Sequence, residues 1–323
     1  QALFSDQPGP VLLCIPYNVQ KELVDAAVLE QVHVPGRARA GDDLAGPVAE
    51  LTAMIEAAAH PVIVAGDGCI KAGARDLVGE LSDHMGIPVA TSLKGKGVVA
   101  EGSALSLGCL GVTSNGGARR YIVEHADLVV FLGAGFNERT SYLWASDLLA
   151  GKRVAQVDRD PAQLGRVFRP DLAIQGDIRQ VVTELLADLR SNGVPAKTAS
   201  LPGQRGDAGT DPSVTQTGGS GDPQQSKFHL IEAFYSALAR HFPHNAIIID
   251  DNIVFAQSYF DVSDSNHYFP NSGISSLGHA IPAAIGARCY AADSPTFAIL
   301  GDGGFQMCCM EIMTAVNYGI PLN

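Results

Sequence analysis

The chain has 323 residues, 46% of them hydrophobic, a net charge of −12 and a pI of about 5.1. That length accommodates two or three domains with substantial cores. The acidic balance excludes an electropositive surface for nucleic acid, and no apolar run is long enough to span a bilayer, so neither nucleic acid nor membrane is an expected partner.

The N-terminus shows no basic-then-apolar leader segment. Pro10 to Pro16 reads as a buried strand with little chain before it. At the other end, Gly319 to Asn323 reads as a helix end turning toward a further strand. Both ends suggest a fragment. The six cysteines, Cys14, Cys69, Cys109, Cys289, Cys308 and Cys309, form no C-x-x-C pair and read as reduced thiols of a cytoplasmic protein.

From 44 to 191 the pattern alternates between helices and short apolar strands. Val48, Leu51, Ile55 and Ala58 share a helical face, and Pro61 to Gly66 is a buried strand. A helix over 72–85 leads to a strand at 87–91. A helix over 117–124 leads to a strand at 128–132, another strand follows at 153–157, and Ile178 to Leu189 marks a closing helix. Such alternation specifies an α/β domain with a Rossmann-like parallel sheet. Residues 192–226, rich in Gly, Pro, Ser and Thr, read as a flexible linker. Order resumes with a helix over 228–242, a strand at 246–249, a helix over 281–291 and a strand at 296–300, the beginning of a second α/β unit over 227–323.

Gly301-Asp302-Gly303-Gly304 ends the strand at 296–300. Three glycines let a backbone approach a phosphate closely, Asp302 offers Mg²⁺ a hard oxygen, and a helix opening near Phe305 would add its N–H groups. A structural turn with a capping Asp has the same local pattern. Gly66-Asp67-Gly68 and Gly133-Ala134-Gly135 also follow strands, where a dinucleotide or a plain turn would fit. Asp158 and Asp160 suit a ribose hydroxyl or the cap of a short helix starting at Pro161. Lys94, Lys96, Arg119, Arg120 and Arg139 supply cations near these turns. His125 and His279 have no second ligand at metal spacing and read as structural. The glycine and serine loop over 272–279, leading into a helix of small residues, permits very close packing of a backbone or a cofactor.

Taken together, these segments resemble the thiamine diphosphate enzymes of the acetolactate synthase and benzoylformate decarboxylase superfamily, with the acetolactate synthase large subunit the nearest pattern. Residues 8–20, and with them the stretch 1–43, resemble the end of that family's pyrimidine-binding domain. Residues 44–190, with Gly133 to Arg139, Asp158 to Pro161 and Gly176-Asp177, resemble its central domain. Gly301 to Met307, followed by Glu311, Thr314-Ala315 and Tyr318 to Pro321, resembles the opening of its diphosphate and Mg²⁺ motif.

The resemblance implies that Asp302 ligates Mg²⁺ and that Gly301, Gly303 and Gly304 cradle the diphosphate. It further implies that Leu277, between Ser276 and Gly278, is the catalytic wedge that bends the cofactor. Asn252 falls on another cofactor-contacting loop, although Asn252 to Phe255 departs from the common Gln-His version. Arg139, Asp158 and Asp177 stand at nucleotide-contacting positions of the central domain. Some members bind FAD there; this chain keeps Arg139 but has Gly135 and Asn137 where the family pattern has Arg and Asp. The expected reaction starts from a 2-oxo acid such as pyruvate, which loses CO₂ before the remainder takes a proton or joins a second carbonyl compound. The activating Glu would precede Gln1, the Asn completing the metal motif would follow Asn323, and the active form would be a homodimer or homotetramer sharing sites between chains. The fragment alone would then be inactive. The rival reading is a non-catalytic module for FAD or ADP; a simple 2-oxo acid decarboxylase is the nearer variant.

Overall fold

The computed structural model describes residues 12–23, 25, 27, 43–198, 228–272 and 275–323. Six parallel strands form the first sheet, in the order β3-β2-β1-β4-β5-β6. They are β1 (Pro61–Ala65), β2 (Val89–Ser92), β3 (Ser106–Leu110), β4 (Leu128–Leu132), β5 (Arg153–Asp158) and β6 (Leu172–Gln175). The central strands β1 and β4 are apolar at every position and wholly buried, as a parallel sheet covered on both faces requires. One face packs on α1 (Ala45–Ala57), α3 (Arg75–Met85) and α5 (Ile178–Ser191), the other on α4 (Gly117–Glu124).

The helix expected over 72–85 is present as Arg75–Met85, and a separate short helix not expected from the sequence precedes it. A short α2 (Asp67–Lys71) ends before Gly73, whose φ of +63° stops it, and α3 follows. Strands β3 and β6 lie in stretches that read as connections. The first contains Gly108 and the second alternates buried and exposed residues at the sheet's edge, so neither shows a continuous apolar run. Residues 161–165 form turns in place of a short helix. Residues 12–16 form no strand, and Leu12 and Leu13 are exposed; no described segment pairs with them, and an apolar run is buried only when a neighbour covers it. Residues 8–11, and 199–226 of the expected linker, lie outside the described residues.

The second sheet has three parallel strands in the order β8-β7-β9: β7 (Ile247–Asp250), β8 (His267–Pro270) and β9 (Thr296–Ile299). Helices α6 (His229–His241), α7 (Val254–Tyr259), α8 (Ala280–Tyr290), α9 (Asp302–Cys308) and α10 (Ile312–Asn317) accompany it. Past Gly319 the chain returns to β9. Asn323 N–H donates to the Thr296 carbonyl at 3.1 Å, and Ala298 N–H donates to the Asn323 carbonyl at 2.9 Å, extending the sheet beside β9.

The two sheet units share a core in which Leu93 and Cys109 pack with Tyr235, Phe260 and Tyr268. Glu101 makes the polar half of the joint: its Oε2 accepts from Val262 N–H at 2.8 Å, and both its oxygens bind Lys96 Nζ at 2.6 and 2.7 Å. Both side chains are almost fully buried, so each charge depends on the other for compensation. No helix among the described residues is long and apolar enough to cross a membrane.

Candidate functional site

Because β7, β8 and β9 are parallel and in register at Asp250, Pro270 and Ile299, the loops that follow them leave the sheet along one edge. Ligands of open parallel sheets bind at that carboxyl edge. The loops carry Asp251 and Asn252 after β7, Asn271 to His279 after β8, and Gly301 to Gly304 after β9. Gly273 and Ile274 fall outside the described residues.

Asp302 is the first residue of α9 and is exposed. Among the described residues no hydrogen bond or ion pair occupies its carboxylate, so it remains available to a hard cation. A Cβ placed on Gly303 would meet nothing within 4 Å, and one on Gly301 would meet only Ile253 Cδ1 at 3.8 Å. Backbone at these two positions is open to a close-approaching group. Gly304 differs: it is buried, and a Cβ there would stand 2.3 Å from Asp251 Oδ2. The expected three-glycine cradle is therefore open at two glycines and filled by protein at the third.

Leu277 is 45% exposed on the loop after β8. Next to it Gly278 has a φ of +88°, and a Cβ on it would lie 2.9 Å from Met307 Cβ. Ser276 is exposed, and its carbonyl accepts from Asn271 Nδ2. Asn252 has a φ of +67°, and its Oδ1 accepts from Arg139 Nη1 at 2.8 Å.

Two acids at the end of β7 carry more of this edge than their sequence position suggests. Asp250 and Asp251 are both fully buried. Asp250 accepts from Ile253 N–H, from Gln257 Nε2 at 2.8 Å and from Tyr268 Oη at 2.8 Å. Burial raises its carboxyl above the ordinary range, and these hydrogen bonds hold it back. Asp251 accepts from Gly278 N–H at 2.8 Å, His279 N–H at 3.3 Å and His279 Nδ1 at 2.6 Å. His279, placed by its sequence in apolar surroundings, is paired with a carboxylate. His125, placed by its sequence among apolar neighbours, is 43% exposed.

Among the central-unit candidates within the described residues, Arg139 is joined to this edge by a side-chain bond, through Asn252. Asp158, at the end of β5, accepts from Asp160 N–H at 2.9 Å, and burial raises its carboxyl. Asp177 caps α5, taking N–H groups from Arg179 at 3.0 Å and Gln180 at 3.3 Å. Asn137 accepts from Thr140 N–H at 2.9 Å within its own loop. Lys96 is consumed by Glu101, and Arg119 pairs with Asp147 at 2.5 Å, so neither is a free cation for a phosphate. The turns at Gly66 and Gly133 close on each other. Gly68 N–H donates to the Gly133 carbonyl at 3.0 Å, and a Cβ on Gly66 would sit 2.1 Å from that oxygen. These glycines serve backbone packing at the switch point between β1 and β4.

Fold and site define a two-sheet α/β protein whose second unit gathers a free carboxylate and open glycine backbone at a parallel sheet's edge. Sequence comparison places the chain in a family. The model of the thiamine pyrophosphate enzyme central domain matches residues 48–185, that of the C-terminal thiamine pyrophosphate binding domain matches residues 249–323, and the chain belongs to these enzymes. The acetolactate synthase large subunit of Porphyra purpurea is 30% identical over 322 residues, 98% of this chain and 53% of that protein. The large subunit of Corynebacterium glutamicum is 29% identical over 324 residues, 98% and 50% respectively. The acetolactate synthase of Mycobacterium bovis is 29% identical over 326 residues, 98% and 51%. The chain thus spans about half the length of the curated relatives it matches.

Proposed function

We propose that this chain is part of a thiamine diphosphate- and Mg²⁺-dependent enzyme that acts on a 2-oxo acid, releasing CO₂ from a pyruvate-type donor and joining the remainder to a second carbonyl compound. The observation that carries the reading is Asp302, exposed and unengaged among the described residues at the tip of β9, next to the open backbone of Gly303. Acetolactate synthase relatives aligned over almost the whole chain support it.

In this reading Asp302 supplies an oxygen ligand to Mg²⁺, and Gly301 and Gly303 offer unobstructed backbone to the diphosphate. Leu277 presses on the cofactor from the loop after β8, and orienting reacting groups in this way removes much of the entropic barrier. Asn252, tied down by Arg139, borders the same edge. When bound, thiamine diphosphate supplies a nucleophilic carbon that adds to a carbonyl. The protein's share is to hold, bend and enclose it. FAD fits the described residues less well: Arg139 is engaged by Asn252, Asp177 caps a helix, and the glycine turn at 133–135 is packed against Gly66. No step here depends on a flavin. The active form is proposed as a homodimer or homotetramer, with the activating Glu contributed by a neighbouring chain.

The test is turnover by the full-length protein. Incubation with pyruvate, thiamine diphosphate and Mg²⁺ is expected to release CO₂ and yield a product containing a new carbon–carbon bond. Release of free aldehyde alone would move the assignment to a simple decarboxylase. Cofactor binding without turnover of any 2-oxo acid would overturn it.

A further inference from the structure

We propose that Asp251 is a positioning residue whose buried carboxylate locks the Leu277 loop to the glycine turn after β9, and that residue 304 is glycine to make room for this carboxylate, not for a phosphate. The proposal deepens the cofactor reading above and rests on it for its binding half.

Asp251 is fixed first through its backbone: its N–H donates to the Ile299 carbonyl at 2.8 Å, which holds it between β7 and β9. Its side chain is 0% exposed, and burying a carboxylate is costly unless its lone pairs are met. They are met from one place. Oδ2 takes Gly278 N–H at 2.8 Å, and Oδ1 takes His279 N–H at 3.3 Å and Nδ1 at 2.6 Å. Gly278 can aim its N–H inward because its φ of +88° costs a glycine little. Leu277 immediately precedes these anchored residues, so the rigidity of the carboxylate passes to the wedge position.

The other side of Oδ2 faces Gly304. The 2.3 Å separation from a hypothetical Cβ is far inside contact distance, and the atom it meets is the Asp251 carboxylate, which its hydrogen bonds to Gly278 and His279 hold in place. Gly303, by contrast, faces open space. Adjacent glycines therefore have separate reasons: one is open to a ligand, the other is filled by Asp251. A single carboxylate thus touches all three loops of the edge.

A thermodynamic cycle tests this in the full-length protein, using Asp251→Ala, Gly304→Ala, the double variant and Asp251→Asn. Two quantities are read: the unfolding midpoint without cofactor, and the Kd of thiamine diphosphate with Mg²⁺ well below that midpoint. Gly304→Ala is expected to lower the midpoint and weaken binding in the native background, and to change neither in the Asp251→Ala background. Asp251→Ala should weaken binding by about tenfold or more, the scale of a lost hydrogen bond to a charged group. Asp251→Asn should recover most of that loss, because its amide oxygen still accepts from Gly278. Equal harm from Gly304→Ala in both backgrounds, or native affinity in Asp251→Ala, would overturn the proposal. Failure of the unsubstituted protein to bind the cofactor would instead defeat the cofactor reading, leaving the midpoints to decide the contact between Asp251 and Gly304.

Discussion

Arg139 and Asn252, 113 positions apart, meet in a 2.8 Å hydrogen bond that joins the loop after β4 to the loop after β7. Each looks by its motif like a contact for a bound group, and in the fold each is the other's partner. The bond also accounts for how a non-glycine residue sits at a φ of +67°, since Asn tolerates the left-handed region and here its side chain is held from outside.

Arg139→Ala should lower stability by about 1 kcal/mol, the net value of one half-exposed hydrogen bond. Asn252→Ala should cost more, because it loses the same bond and places a Cβ without an anchor in left-handed backbone. Denaturant titration of both single variants and the double variant measures the coupling. Strict additivity would show that the bond contributes nothing.

The meeting of Gly66 with Gly133 predicts a contrast between two glycines. Gly66→Ala drives a methyl group to 2.1 Å from a backbone oxygen and should destabilise by about 1–3 kcal/mol or more. Gly46→Ala, in α1 with nothing within 4 Å, should stabilise by up to about 1 kcal/mol through helix propensity. Thermal unfolding of the two variants decides, and an equal effect would contradict the packing role given to the first turn.

Burial pushes the Cys69 and Cys109 thiols up from 9.0 to about 12. Unfolded thiols ionise near 9.0 while the folded ones resist, so this contribution is complete below pH 9 and is lost as pH rises toward 12. Replacing both with Ala should flatten the alkaline decline of stability in that window. At neutral pH a thiol reagent should label the exposed Cys14 and Cys289 and spare Cys69 and Cys109 until denaturant is added. Labelling of the buried pair in the native protein would contradict their placement.

Sequence patterning was most informative where burial is continuous. Strand β4 was legible at its observed limits because five consecutive apolar residues are buried together. Edge strands β3 and β6, short and half-covered, send no such signal. Asp302 was legible because it stands in a compact local motif. Asp251 was not: its partners lie at 278, 279 and 304, and nothing local announces a contact across 27 or 53 positions. One signal was available, since two adjacent acids closing the apolar strand Ile247 to Ile249 point to opposite faces of a sheet, so that both cannot be solvent-facing. The glycines of the first unit are ambiguous in the converse way, since a turn packed against backbone and a turn wrapped around phosphate need the same residue.

The central claim is that one carboxylate at the tip of β9 holds a divalent ion bridging the protein to a diphosphate. Calorimetric titration of thiamine diphosphate into the full-length protein, with and without Mg²⁺, compared with Asp302→Ala, tests it most directly. The account predicts binding that requires Mg²⁺ and falls at least about tenfold in the variant. Affinity indifferent to Mg²⁺, or unchanged in Asp302→Ala, would contradict it.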